Sequence, residues 1–222
     1  MIEQYTQILE NNLLFQGIGT GELDSMLRCL DVRTARYPKD SAIFLAGSPP
    51  RWMGMVLKGA VQVVRDDIFG NRSMLAKLPP GDLFGEAFAC AESEALPISV
   101  LAVTDCDVLL MDYRRVITTC SSSCVFHNRL IENMMQILAQ KNLTLNQTIE
   151  VLSARSTREK VMAYLSIQAA GQGSSRFEIP LSRQELADYL SVERSALSRE
   201  LGAMKREGII SFSKNSFQLH QP

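Results

Sequence analysis

The stretch that decides the fold is SRQELADYLSVERSALSREL, residues 182–201. Ser182 followed by Glu185 fits the S-x-x-E capping box that starts a helix. Apolar side chains then recur at helical spacing in two groups, which are Leu186 and Leu190, followed by Leu197, Leu201 and Met204. Ser191 and Val192 separate the two groups, so the pattern predicts two short helices joined by a tight turn.

The second predicted helix has a polar face opposite its apolar stripe. That face carries Arg194, Ser195, Ser198, Arg199 and Gly202. Two guanidinium groups and two hydroxyls at the start of a helix suit contact with base edges and phosphates in a DNA major groove. The pattern indicates a helix-turn-helix. An αα-hairpin whose polar face meets only water has the same helical periodicity and is the alternative.

The residues that follow favour the DNA-binding interpretation. The run GIISFSKNSFQLH, residues 208–220, has two β-rich segments around Lys214 and Asn215, which predicts a hairpin and hence a winged helix. Residues 155–222 hold 10 Lys and Arg against 7 Asp and Glu, whereas residues 1–154 hold 13 against 17. The excess of positive charge therefore lies in the part that is predicted to meet DNA.

Composition bounds the class of protein. The chain of 222 residues suits two domains, and 46% hydrophobic and 21% charged residues are typical of a soluble globular protein. The N-terminus lacks the pattern of a signal peptide, and no apolar run approaches the roughly 18 residues of a membrane span. We therefore expect a cytoplasmic protein with no membrane partner. Five cysteines without a secretory signal indicate reduced thiols.

The segment from Phe126 to Leu152 contains neither proline nor glycine and has a seven-residue apolar repeat. The a positions are Ile131, Leu138, Leu145 and Leu152, and the d positions are Met134, Lys141 and Thr148. This repeat predicts a parallel homodimer helix with an interface that includes Ile131, Met134, Leu138 and Leu145. The alternative is a long helix packed on its own β-domain. A dimer is also what a helix-turn-helix needs to reach two half-sites about one DNA turn apart.

Upstream of this helix, from Val32 onward, the pattern is strand-like. Turn signals recur at the spacing of a small β-sandwich or barrel, at Gly47, Gly59, Asn71, Gly81 and Gly85. The predicted fold class is α+β with three parts. These are a β-domain with N-terminal helices over residues 1–120, a dimerisation helix over 121–153, and a winged helix-turn-helix over 154–222.

The chain resembles the CRP/FNR superfamily of bacterial transcription regulators over essentially its whole length. The most specific pieces are GDLFGE at residues 81–86, RQELA at 183–187, and Arg194 with Ser198 and Arg199. The resemblance implies a double-stranded β-helix (a jelly-roll-like β-roll) that holds an effector, whose binding shifts the dimer helices and the spacing of the two recognition helices. It also implies a palindromic DNA operator as partner, with RNA polymerase as a candidate partner.

By that resemblance, the DNA contacts fall on Arg194, Ser195, Ser198 and Arg199, to which we add Arg183 and Gln184 from the first helix. Ser195 stands where family members often have a glutamate, so the half-site sequence need not match theirs. Ser191 stands where many helix-turn-helix proteins have glycine, and a left-handed backbone there costs about 1–2 kcal/mol.

The effector is not expected to be a cyclic nucleotide. In cyclic-nucleotide pockets of the family, an Arg-Ser or Arg-Thr pair follows the Phe-Gly-Glu loop, and here Leu96-Pro97 takes its place. A buried phosphate without a cation carries a large desolvation penalty. We expect a small, less polar organic effector bordered by Phe84, Gly85, Glu86, Pro97, Leu145 and Asn146.

A redox- or metal-responsive regulator is the alternative. Cys120, Cys124 and His127 would lie at i, i+4 and i+7 on one helix face, where thiolates and an imidazole suit a soft metal or a redox thiol. Three ligands per chain make a weak metal site, so no metal or cofactor is assigned. The N-terminal iron–sulfur type is not supported, because Cys29 stands alone there. No catalytic motif is present, so we do not expect an enzyme.

Overall fold

The computed structural model describes residues 3–118 and 125–220. The chain divides into two compact units, Met1–Ala139 and Gln140–Pro222. The division falls inside a long helix and not at either of its ends. No helix of the described ranges is long and apolar enough to cross a membrane.

The first unit is built on two antiparallel sheets of four strands each. The first sheet has the order β1-β8-β3-β6 and the second β2-β7-β4-β5. The strands are β1 (Arg33–Tyr37), β2 (Ala42–Phe44), β3 (Trp52–Lys58), β4 (Val61–Asp66), β5 (Arg72–Leu78), β6 (Leu83–Phe84), β7 (Ser99–Ala102) and β8 (Cys106–Asp112). This arrangement confirms the predicted β-roll.

Alternation along β3 explains how one strand serves two cores. Met53, Met55 and Leu57 point to one face and pack in a cluster with the N-terminal helices. Val56 points to the other face and packs in the interior of the roll with Phe84 and Val108. Successive side chains of a strand point to opposite faces, so the continuous apolar run of β3 is buried on both sides.

Short helices cover the first of these cores. They are the 3₁₀ turns Glu3–Tyr5 and Leu13–Phe15, and the helices α1 (Thr6–Glu10), α2 (Thr20–Cys29), α3 (Glu86–Cys90) and α4 (Tyr113–Ile117). The Tyr5 hydroxyl donates a short hydrogen bond to the Asp107 carboxylate, which also accepts from Arg36 Nε at 2.9 Å. These two donors lower the pKa of Asp107.

The long helix α5 spans Val125–Ser153. In its first half Leu130, Met134 and Ile137 are buried and belong to the core of the β-domain unit. Asn133 joins the same face of α5 to the N-terminal segment, because its amide donates to the carbonyls of Leu14 and Gln16 at 3.0 and 2.8 Å. The first half of α5 thus packs on its own β-domain, as the alternative interpretation of the repeat expected.

The apolar side chains that α5 leaves exposed differ from the predicted interface at one position, Met134. Met134, assigned to a d position, is only 3% exposed, whereas Met135, Leu145 and Ile149 are 67%, 61% and 60% exposed. The β-domain needs a buried stripe of its own on this helix. Met134 is buried in that stripe, and Met135 takes its place among the exposed apolar side chains.

The second unit contains the winged helix that the sequence predicted. After α5 come α6 (Thr157–Gln172), β9 (Arg176–Glu178), α7 (Arg183–Tyr189), α8 (Arg194–Arg206), β10 (Ile210–Ser213) and β11 (Ser216–Leu219). The last two strands form the hairpin, and β9 pairs with β11 to complete a three-stranded antiparallel sheet. The core contains Val151, Leu165, Leu186, Leu197 and Phe217.

Candidate nucleic-acid interface and effector loop

The turn between α7 and α8 has the geometry that the sequence predicted. The Ser182 hydroxyl accepts from the Glu185 backbone N–H at 3.3 Å, while the Glu185 carboxylate accepts from the Ser182 N–H at 2.8 Å, which closes the capping box. At the other end of α7, Ser191 adopts a left-handed backbone with φ 52°. The Val192 N–H then bonds to the Ala187 carbonyl at 3.0 Å. The chain therefore reverses within a few residues, and α8 starts directly afterwards.

The two faces of α8 separate as expected. Leu197, Leu201 and Met204 are at most 1% exposed and pack in the core of the second unit. The four predicted contact residues on the opposite side are exposed, and these are Arg194, Ser195, Ser198 and Arg199. A helix that presents two guanidiniums and two hydroxyls to solvent can offer bidentate donors to base edges and further donors to phosphates.

Arg183 occupies a different environment from these four residues. Its guanidinium donates to the Lys214 carbonyl at 3.1 Å and lies 5.2 and 5.3 Å from the ring centres of Phe212 and Phe217. Burial lowers the pKa of Arg183. In this structure the side chain ties α7 to the hairpin turn, and its predicted DNA contact stays a prediction. Gln184 is exposed and donates to Asp188 at 2.9 Å.

Two basic residues of α6, which the sequence patterns did not reveal, donate hydrogen bonds to the helix-turn-helix. Arg158 Nε donates to Glu200 at 2.6 Å, and both terminal nitrogens of its guanidinium donate to Glu207 at 2.7 and 2.8 Å. Lys160 donates to the Leu190 carbonyl at the C-terminal end of α7, at 3.1 Å. The partners lie 30 to 49 residues away in sequence, so no local spacing could have revealed them.

The predicted effector loop lies at the edge of the β-roll. Phe84 and Glu86 are 2% and 4% exposed, and Gly85 between them has φ 77° and precedes α3. A Cβ at Gly85 would lie 2.9 Å from the ring of Phe44, which itself packs edge-on against Phe84 with ring centres 5.2 Å apart. Glycine is required at this position both by the backbone and by the close approach of the ring.

The other predicted effector residues are divided between the two units. Pro97 is exposed on the segment before β7, in the first unit. Leu145 and Asn146 belong to the second unit and are exposed on α5, where Asn146 donates to Asn142 at 3.0 Å. Their part in an effector site remains a prediction.

Two arginines approach the aromatic ring at the start of β3. The guanidinium carbons of Arg33 and Arg51 lie 5.1 and 5.2 Å from the ring centre of Trp52. Arg51 also pairs with the Asp112 carboxylate at 3.1 Å. This cation–aromatic group cannot be read from local sequence spacing, since Arg33 lies in β1 whereas Arg51 and Trp52 lie at the start of β3.

The alternative redox or metal site falls largely outside the described residues, because Cys120 and Cys124 lie in the gap between residues 118 and 125. His127 is only 1% exposed, and its Nδ1 has no hydrogen-bond partner among the described residues. Cys29, Cys90 and Cys106 are free thiols, and burial raises the pKa of Cys90 and Cys106. Within the described ranges no three potential ligands cluster in a way that could hold a metal.

The fold and the exposed face of α8 define a class: a regulator with a β-roll sensory domain and a winged helix-turn-helix. Comparison with known families agrees. The cyclic nucleotide-binding domain family matches residues 34–123, and the Crp-like helix-turn-helix domain family matches residues 159–222. The chain belongs to the CRP/FNR superfamily and is an effector-controlled, DNA-binding transcription regulator.

Individual relatives support this assignment. The chain is 27% identical over 216 residues to the cyclic AMP receptor protein of Thermus thermophilus, covering 96% of this chain and 94% of the relative. It is 26% identical over 195 residues to the transcriptional activator protein FnrL of Cereibacter sphaeroides, covering 79% and 71%. The fold is similar to that of the c-di-GMP responsive regulator CLP of Xanthomonas campestris, with a TM-score of 0.58, 18% identity, and coverage of 92% and 100%.

Proposed function

We propose that this regulator binds a palindromic operator as a homodimer and contacts it through Arg194, Ser195, Ser198 and Arg199. The observation that carries the proposal is the exposure of these four side chains on the first turns of α8, opposite a fully buried stripe. Arginine bonded to guanine O6 and N7 is the commonest specific contact in a major groove. The protein acts in the cytoplasm without catalysing a reaction, and RNA polymerase is its candidate partner at promoters.

The dimer forms along a stripe of α5 that is half-buried at Ile131 and Leu138 and exposed at its other apolar positions. Ile131, Met135, Leu138, Asn142, Leu145, Ile149 and Leu152 follow the alternating spacing of four and three residues that a coiled-coil seam requires. This seam keeps Ile131, Leu138 and Leu145 from the predicted interface and replaces Met134 by Met135. Large apolar side chains that are about 60% exposed on one helix stripe are what a second copy of the helix would cover.

The effector acts at the loop Phe84-Gly85-Glu86 of the β-roll, and we propose a small organic molecule as its class. The rings of Phe44 and Phe84 at this loop favour an apolar ligand. The Thermus relative is named for cyclic AMP. In this chain, however, no arginine follows the loop before Arg114, so the cation that would neutralise a cyclic phosphate is missing from the segment that supplies it in the family.

The experiment that tests the function is selection of DNA from a random pool by the purified full-length protein. It is run with and without reductant and with added metal. A palindromic consensus supports a dimeric regulator. Enrichment in only one redox or metal condition would favour sensing through Cys120, Cys124 and His127, whereas enrichment that ignores both favours the organic effector. A consensus with a single half-site would contradict the proposed dimer.

A further inference from the structure

The recognition helix α8 makes side-chain contacts on both flanks of its buried stripe. Glu200 and Glu207 lie two turns apart on one flank, where they accept three hydrogen bonds from Arg158 at 2.6 to 2.8 Å. On the other flank, the Lys205 ammonium lies 5.2 Å from the ring centre of Phe212 in the wing. With about 100° per residue, the buried stripe lies between these two flanks. The exposed DNA face is therefore fixed in direction by contacts on both sides of it.

We propose that Arg158 is a positioning residue for DNA recognition, which fixes the rotation of α8 about its own axis and so aims Arg194 and Arg199. This inference rests on the proposed DNA face of α8. The Arg158 guanidinium is held by two carboxylates, those of Glu200 and Glu207. Its role is exerted through the helix that it holds.

The geometry of the contact explains why a surface ion pair can matter here. Isolated exposed ion pairs contribute little, but a planar guanidinium that forks onto a carboxylate and joins a second one is the exception. The side chains of Arg158, Glu200 and Glu207 are 40%, 26% and 45% exposed. Glu200 is thus the least exposed of the three. The hydrogen bonds to the two carboxylates raise the pKa of Arg158, and the bond from Arg158 lowers the pKa of Glu207.

A small rotation of α8 is enough to lose specific contacts. Side-chain tips lie about 6 Å from a helix axis, so a rotation of about 20° moves them by about 2 Å. A hydrogen bond to a base edge does not survive such a displacement, whereas the attraction of a cation to phosphates hardly changes. Loss of the Arg158 contact should therefore reduce discrimination between DNA sequences more than it reduces binding to DNA in general.

The test compares binding of full-length variants to the selected operator duplex and to a scrambled duplex of the same composition, by fluorescence anisotropy over a salt series. Arg158→Ala is compared with Arg155→Ala, which removes one cation just before the start of α6. We expect Arg158→Ala to lose roughly tenfold in operator affinity. Its affinity for scrambled DNA and its salt slope should match those of Arg155→Ala. An equal loss of affinity for both duplexes would show that Arg158 affects DNA binding in general. A salt slope lower by about 1 than that of Arg155→Ala would show that Arg158 contacts a phosphate directly. Either result would overturn the proposal.

Two further variants separate positioning from simple charge neutralisation. Arg158→Lys keeps the charge but loses the fork, so we expect it to discriminate as poorly as Arg158→Ala, and full recovery would refute positioning. The double variant Glu200→Gln, Glu207→Gln removes two negative charges near DNA. Positioning predicts a lower ratio of operator to scrambled affinity, whereas tighter binding to both duplexes with an unchanged ratio contradicts it. This double variant decides the question if Arg158→Ala does not fold.

Arg194→Ala distinguishes failure of this inference from failure of the proposed function. If Arg194→Ala binds the operator as wild type does, the proposed DNA face is wrong, whatever Arg158 does. If Arg194→Ala loses operator affinity while Arg158→Ala keeps it, only the positioning role fails. Circular dichroism of every variant confirms that the affinities refer to folded protein.

Discussion

The hydroxyl of Tyr189 lies 3.2 Å from the hydroxyl of Thr148, a hydrogen bond that joins the last helix turn of α7 to the C-terminal part of α5. Val151, which is fully buried in the winged-helix core, lies almost one turn further along α5. The end of α5 is therefore part of the DNA-binding unit. We expect Tyr189→Phe to lower its free energy of unfolding by about 1 kcal/mol, since one hydrogen bond is lost. Denaturant unfolding measures this, and adding Thr148→Val to Tyr189→Phe should cost little more, whereas fully additive effects would show that the two hydroxyls are not coupled.

Tyr164 predicts a dependence of stability on alkaline pH. Burial raises the pKa of Tyr164 from 10.0 to about 12, and its ring centre lies 5.2 Å from that of Tyr189. Because the folded pKa is above the unfolded one, the stabilisation is fully present below pH 10 and is lost as pH rises towards 12. The rise in the pKa of Tyr164 corresponds to about 3 kcal/mol of the free energy of unfolding. Unfolding of wild type and Tyr164→Phe across this range measures it, and a wild-type pH slope that persists in Tyr164→Phe would assign the effect to another group.

Ser191 predicts a stabilising substitution. Its φ of 52° costs free energy for any residue with a Cβ, and glycine removes that cost. We expect Ser191→Gly to raise the melting temperature and stabilise the protein by about 1 kcal/mol. Ser198→Gly is the matched control, because the same change inside α8 should destabilise by about 0.5–1 kcal/mol. Destabilisation by both changes would mean that the Ser191 side chain contributes more than its backbone strain costs.

Arg194 predicts a loss of specific binding without a loss of assembly. Arg194→Ala removes a guanidinium from the exposed face of α8, and a bidentate contact to guanine is worth about 1–3 kcal/mol of discrimination. We expect weaker binding to the selected operator and unchanged dimerisation. Anisotropy titrations and sedimentation equilibrium measure the two quantities. Equal operator affinity of variant and wild type would remove Arg194 from the interface.

The two stripes of α5 predict opposite consequences of substitution. Ile149→Glu places a charge on the exposed stripe and should dissociate the dimer while it leaves monomer stability nearly unchanged. Met134→Ala empties a site in the β-domain core and should cost about 2–5 kcal/mol of stability. Sedimentation equilibrium and thermal unfolding separate the two effects. A dimer lost on Met134→Ala but kept on Ile149→Glu would place Met134, and not the Ile149 stripe, in the dimer interface.

Local patterns in the sequence were sufficient wherever neighbours along the chain decide the structure. The capping box of Ser182 and Glu185, the left-handed Ser191 and the hairpin turn at Lys214 are properties of a few consecutive residues, and the structure confirms all three. The winged helix and the exposed face of α8 follow from them. The family resemblance supplied the β-roll and its loop at Phe84-Gly85-Glu86.

The sequence by itself therefore determined the class of protein, the order of its parts and the exposed polar face of α8, because helical periodicity and turn chemistry act over short distances. Only the tertiary structure decided which stripe of α5 the β-domain covers. It also placed the Arg183 guanidinium against the wing and bonded Arg158 to Glu200 and Glu207 at α8. A helix stripe through Ile131 and Leu138 can include either Met134 or Met135, because side chains three and four residues apart lie on the same face. Packing against distant segments chooses between them, since burial of Met134 in one core removes it from any other.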